Sequence, residues 1–147
     1  MRGNDQERDP DVRFEFGHQT DAPSQARKAL RPLFQDDGDP IAEAVMLSAS
    51  ELVSNVILHT DDGGTMQAWD PKPDIPFRLQ VDDHRHGVEL QPHEAADPIG
   101  GRGLGIVAAL ADQWGVEATA DGKCVWAAFS RPAAGEASST PETLGNT

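Results

Sequence analysis

Two stripes on one helix constrain this chain more than any other feature of its sequence. Val45, Ala49, Leu52, Val53 and Val56 recur with the helical period and form an apolar stripe fit for a core. Ser48, Glu51, Asn55 and His59 recur one turn apart and form a polar stripe beside it. A solvated helix face ordinarily pairs Lys or Arg with Glu. This face sets a carboxylate and a carboxamide one turn apart with no base between them. Such a pair can bring a metal-binding oxygen and a proton acceptor to one place.

The rest of the chain supplies a sheet for that helix to pack on. Residues 12–17 alternate apolar and polar and predict a half-buried strand. Asp21, Pro23 and Ser24 start a helix that carries Ala26, Leu30 and Phe34 at helical spacing, until Gly38 and the acidic pair before it break it. Asp39 caps the next helix, with Pro40 at its first position, and that helix is predicted to run to about His59. Residues 65–69 and 77–81 read as strands joined by a hairpin loop. Residues 84–99 lack any period, and a loop of that length within a small domain is usually functional. A helix over 104–111 and a second hairpin, 114–119 with 123–129, complete the pattern.

This order predicts an α+β fold: a two-layer α/β sandwich with helices on one face of a mixed, mainly antiparallel sheet. One domain is expected over residues 12–131. It lies between a polar N-terminus, 1–11, and a Pro, Ala, Gly, Ser and Thr-rich tail, 132–147, both expected to be disordered.

Composition removes several function classes. With 25 acidic against 12 basic residues, the net charge is −13, and no basic run offers nucleic acid or an anionic membrane a surface. No apolar run is long enough to span a bilayer or to form a signal peptide core, so a cytoplasmic location is expected. The lone Cys124 excludes an intrachain disulfide and a multi-cysteine zinc site. His84, His86 and His93 read as an incidental loop cluster rather than a metal centre.

Two further stretches carry chemistry. Gly100-Gly101-Arg102-Gly103-Leu104-Gly105 opens a helix, where glycines permit close backbone approach and unpaired N–H groups favour an anion such as phosphate. No Gly-Lys-Ser/Thr follows and no strand precedes it, so it is neither a P-loop nor a dinucleotide-binding turn. Strand alternation puts Asp83 on the face of Phe77, Leu79 and Val81, pointing inward, where a carboxylate can accept a hydrogen bond from an exocyclic amine. Its neighbour Asp82 is the alternative.

Taken in order, Glu51-Leu52-Val53-Ser54-Asn55 with His59, then Leu79-Gln80-Val81-Asp82-Asp83, then Gly101-Arg102-Gly103-Leu104-Gly105-Ile106-Val107 resemble the Bergerat-type (GHKL) ATP-binding fold. More narrowly the chain resembles the anti-sigma regulatory factors, small bacterial serine/threonine protein kinases. The closing part, residues 109–116 with Gly122-Lys123 and Val125-Trp126, fits as well. The resemblance implies that Asn55 holds Mg²⁺ on the phosphates of ATP and that Asp83 reads the adenine amino group. It implies that Gly101, Arg102, Gly103, Leu104 and Gly105 cradle phosphate, and that Glu51 is the general base toward a substrate hydroxyl. It also implies a homodimer that sequesters a sigma factor and phosphorylates an anti-sigma factor antagonist. The alternative is a degenerate module that sequesters a partner without phosphotransfer. One departure favours that alternative: the family carries Asp-x-Gly-x-Gly after the strand, whereas the chain reads Asp83-His84-Arg85-His86-Gly87, with a bulky His84 where a glycine is expected.

Overall fold

Alternation along the strands decides which way the sheet faces, and the computed structural model follows it closely. The structure describes residues 8–34, 38–59, 62–71, 74–84, 102–118 and 122–132, with backbone alone for His59, Arg102 and Gly103. The strands are β1 (Val12–Phe16), β2 (Gly64–Trp69), β3 (Phe77–Asp83), β4 (Gln113–Ala118) and β5 (Lys123–Phe129). They lie in the order β1-β2-β3-β5-β4. Every pairing among these strands is antiparallel, so the mixed sheet of the sequence reading is a uniform one. The connection after β3 sets β4 at the edge, and β5 returns between β4 and β3.

Register aligns the apolar residues in rows on the inner face. Phe14, Met66, Val81, Val125 and Val116 form one row across all five strands. Val12, Ala68, Leu79, Ala127 and Trp114 form the next. Three helices cover this face: α1 (Ala22–Leu30), α2 (Ala42–His59) and α3 (Arg102–Leu110). Helix α2 lies between the other two and packs on β2 and β3. Val45, Ala49, Leu52, Val53 and Val56 are all buried there, the stripe foreseen from their spacing. Each fully buried Leu, Val or Phe of this layer contributes about 1.5–3 kcal/mol.

The helix ends follow from individual residues. Helix α1 stops at Leu30, short of the Phe34 expected from spacing, and passes into a 3₁₀ turn over Arg31–Leu33. Pro32 has no N–H to continue the α-helical ladder. Phe34 instead stacks on Phe77, ring centroids 5.4 Å apart. Helix α2 begins two residues later than Pro40, and Asp39 Oδ1 accepts the Ile41 N–H at 3.2 Å. Gly63 then turns the chain into β2 with φ of +74°, and a Cβ there would collide with the Phe16 carbonyl.

Both ends of the described core are tied to the sheet. Trp69 Nε1 donates to the Arg8 carbonyl at 2.9 Å, and the Asp11 N–H donates to the Ala68 carbonyl at 2.8 Å. Residues 8–11, which the sequence reading assigned to a disordered N-terminus, are therefore held on β2. After β5, the Arg131 guanidinium grips Asp39 through Nε and Nη2 and Asp70 through Nη1 and Nη2, at 2.9 to 3.3 Å. Burial opposes this charge, but the two carboxylates more than offset it and hold Arg131 more firmly protonated than usual. No helix among the described residues is long and apolar enough to cross a membrane.

Replacing Arg131 leaves two largely buried carboxylates facing each other. Arg131→Ala is expected to lower unfolding free energy by about 2–4 kcal/mol, read from urea denaturation at pH 7.

Candidate functional site

At one end of the sheet the inner face changes character from apolar to polar. The row beyond Met66 and Val81 is Phe16, Gly64 and Asp83, a ring, a missing side chain and a carboxylate. Asp83 is only 3% exposed, and its Oδ1 accepts the main-chain N–H of Lys123 at 2.9 Å. In the β3–β5 register, Asp82 pairs with Cys124, so the next rung would pair Asp83 with Lys123. The carboxylate takes the Lys123 N–H and closes the ladder with a side chain.

Helix α2 crosses above this point and completes a cleft with a cavity volume of about 20 Å³. Leu52, Asn55 and Val56 line it from the helix, Val81 and Asp83 from β3, Lys123 and Val125 from β5. Its walls are apolar apart from the Asp83 carboxylate, the Asn55 carboxamide and Lys123. The Asn55 Nδ2 is buried and has no hydrogen-bond partner. An unmet amide donor of this kind costs about 1–3 kcal/mol, which an acceptor on a bound molecule would recover.

The two aspartates, ambiguous in the sequence, separate by face. Asp83 faces the cleft. Asp82 points to the opposite face of the sheet, where the buried Cys124 thiol hydrogen-bonds its carboxylate. Burial first, and Asp82 second, push that thiol well above its usual range. The histidine after Asp83 also belongs to the outer side. Its Nε2 shares a hydrogen bond with Thr65 Oγ1 at 3.0 Å, and its N–H donates to the Gly63 carbonyl at 3.0 Å. The expectation that His84 crowds the cleft is thus corrected, because its ring is held against the register partner of Asp82. Counted from Asp83, the family's first glycine falls at Arg85, outside the described residues.

The remaining expected residues divide. Glu51 lies one helical turn before Asn55, half-buried and outside the lining of the cleft. Ser48, placed by spacing on the same polar stripe, is completely buried with its hydroxyl unpartnered. Helix α3 starts at Arg102 and packs against α2, which brings the backbone of Arg102 and Gly103 to the same layer as Asn55. Leu104 is 6% exposed and its side chain belongs to the core. Gly105 is exposed, and a Cβ there would meet no atom of the described residues within 4 Å beyond its own helical turn. Packing therefore gives no reason for glycine at this helical position, although it destabilises the helix by about 1 kcal/mol relative to alanine. Gly101, His86 and His93 lie outside the described residues, as does the rest of residues 85–101. Among the described residues no group of three His, Cys, Asp or Glu side chains could hold a metal ion.

Sequence reasoning missed Lys123 and the valine walls. Lys123 acts through its main chain, which no residue type announces. Val56, Val81 and Val125 looked like ordinary core, and only the crossing of α2 over β3 and β5 makes them a wall.

Comparison with known proteins agrees with this geometry. The family described as histidine kinase-like ATPase domain matches residues 20–129. Among solved structures, the crystal structure of the RsbU and RsbW domains of Rv1364c from Mycobacterium tuberculosis superposes with a TM-score of 0.52 at 20% identity. The match covers 83% of this chain and 33% of that one, so the chain spans about a third of its length. At that identity the likeness is one of fold. No curated protein matches.

Cys124 supplies the test of the two-faced strand end. Its thiol is expected to react with a thiol reagent at least about 100-fold more slowly in the native protein than in the urea-unfolded chain at pH 8. Because folding raises its pKa, the associated stability is complete below the unfolded thiol value of about 8.5 and declines as pH rises beyond it.

Proposed function

The chain belongs to the histidine kinase-like ATPase domain family, and from that premise we propose that it is an ATP-binding anti-sigma regulatory factor with serine/threonine protein kinase activity. The observation that carries the nucleotide part is the cleft itself. A buried carboxylate and an unpartnered amide meet between valine side chains, where the edge of a base with an exocyclic amine would find them; the enclosed volume itself, about 20 Å³, is that of a single water.

In this reading Asp83 accepts the adenine amino group, and Val56, Val81 and Val125 exclude water from the ring. The N-terminal turn of α3, with Arg102, Gly103, Leu104 and Gly105, approaches the phosphates through main-chain N–H groups. The open space at Gly105 supports this assignment. Gly101 is assigned with them from the sequence motif. Asn55 is the residue that would hold Mg²⁺, through its Oδ1, as the resemblance implies; its unpartnered Nδ2 is a separate donor that an acceptor on the ligand would satisfy. The metal supplies charge neutralisation on the phosphates. Glu51, one turn away on the same helix, receives the proton of a substrate serine or threonine hydroxyl on its carboxylate while that oxygen attacks the γ-phosphorus and the bond to the β–γ bridging oxygen breaks, releasing ADP. No residue of this chain takes the phosphoryl group itself.

The acceptor in this proposal is an anti-sigma factor antagonist, and the sequestered partner is a sigma factor. The resemblance of the three motifs to anti-sigma regulatory factors supports both. The same resemblance favours a cytoplasmic homodimer. A net charge of −13 suits a basic protein face as partner and disfavours nucleic acid.

Radiolabelled phosphate transfer to a candidate antagonist, together with Mg-ATP titration, tests the assignment. Glu51→Ala is expected to slow transfer by about 100-fold or more while changing ATP affinity less than about threefold. Asn55→Ala is expected to remove the magnesium dependence of ATP binding. Antagonist binding with no transfer by wild type or variant would favour the sequestering module instead.

A further inference from the structure

The hydrogen bond between the Lys123 main chain and Asp83 has a consequence for ligand choice. A carboxylate offers two equivalent oxygens, and in an open pocket it can rotate to suit many ligands. Asp83 is 3% exposed, and its Oδ1 is engaged by the Lys123 N–H at 2.9 Å. Only Oδ2 remains for a molecule in the cleft. Its direction is fixed because neither strand end can move independently. On the β2 side, the N–H of His84 donates to the Gly63 carbonyl and its ring bonds Thr65. Gly64, the register partner of Asp83, has no room for a side chain against the Asp82 carbonyl and the Phe16 ring.

We propose that Lys123, through its main-chain N–H, is the positioning residue that makes this cleft select a ring carrying an amino group over one carrying a carbonyl at the same position. The inference rests on the nucleotide reading of the cleft and goes beyond it by naming what sets the selectivity. Lys123 touches no reacting atom. It demands an oxygen on its side of residue 83, and whatever residue 83 has left faces the ligand. With aspartate, the remaining atom is an acceptor and selects a donor.

This logic makes a sharp statement about Asp83→Asn. An asparagine that was free to turn would still present its oxygen to an amino group and keep the original preference. An asparagine whose oxygen is claimed by the Lys123 N–H must present its –NH₂, and the preference inverts. A purely structural contribution of Lys123 predicts no inversion, only weaker binding of every nucleotide.

The experiment is calorimetric titration of the full chain with the magnesium complexes of adenosine triphosphate and inosine triphosphate. Wild type is expected to favour adenosine triphosphate by at least about tenfold, the scale of one charge-assisted hydrogen bond. Asp83→Asn is expected to reverse this and favour inosine triphosphate by at least threefold. Lys123→Pro removes the N–H at the first residue of a strand, where proline is tolerated. It is expected to reduce the preference to within about threefold. Lys123→Ala keeps the N–H and is expected to keep the wild-type preference. An Asp83→Asn protein that still prefers adenosine triphosphate overturns the proposal, and this result does not depend on whether the proline variant folds. A folded Lys123→Pro protein with undiminished preference overturns it as well. Wild type that binds neither nucleotide overturns the nucleotide reading itself, an outcome distinct from either.

Discussion

The packing of α2 on the central strand β3 is the constraint from which fold and site both follow. Val45, Ala49, Leu52, Val53 and Val56 must leave water together, and the inner rows of β2, β3 and β5 are the apolar surface that receives them. Once that stripe is seated, the helix has no rotational freedom left. Asn55 lies between Leu52 and Val56 on the helix, so its side chain is carried to the edge of the same contact, above Asp83. The site needs no separate device to bring its two polar groups together. A helix rotated enough to move Asn55 away from Asp83 would expose part of the apolar stripe, at about 25 cal/mol for each Å² returned to water.

The polar groups at this end are incompletely satisfied. Asp83 has one oxygen bonded, and Asn55 Nδ2 has no partner. Burying such groups destabilises a fold, which is why most buried polar atoms are paired. At the opposite end of the same strands the chain pairs nearly everything. Arg131 meets Asp39 and Asp70 with five nitrogen–oxygen bonds, Asp39 also caps α2, and Asp70 donates its N–H to Asp11. Strand β2 illustrates the division within six residues, from Gly64 beside Asp83 to Trp69 beside the Arg131 clasp. Of the three buried side-chain atoms without a partner among the described residues, only Asn55 Nδ2 lines the cleft; Ser48 Oγ and Arg78 Nε lie elsewhere.

Much of this was legible in the sequence because it depends on period. The stripe on α2, the alternation that sends Asp83 inward, and the order of helices and hairpins are properties of spacing, and the structure follows them. What escaped depends on three-dimensional neighbours. Ser48 looked like part of a polar face, yet α2 is flanked on both sides by helices, so that edge is interior. His84 looked obstructive because its position was counted along the chain. In space it shares the outer side with Asp82, one residue out of phase with the cleft. Arg131 sits where the composition turns to that of a tail, and nothing in its spacing reveals two aspartates waiting 61 and 92 residues earlier. Lys123 is the extreme case, since the group that acts is one every residue except proline possesses.

The way the ladder ends at Asp83 connects these observations. A β-ladder that finished with main-chain bonds would leave both carboxylate oxygens to solvent or ligand. Here the side chain replaces the last rung, so the sheet itself decides which oxygen is spent. The same substitution brings Lys123 and Val125 of β5 into the lining, next to Val81 of β3. A single replaced hydrogen bond therefore ends the sheet, orients the acceptor and sets one wall of the cleft. Residues serving three demands at once tolerate little change. Gly64 answers to the same geometry, because a side chain there would push β2 from β3 and shift the carboxylate it faces. The direction in which Asp83 presents its remaining oxygen is in this sense a property of strand register.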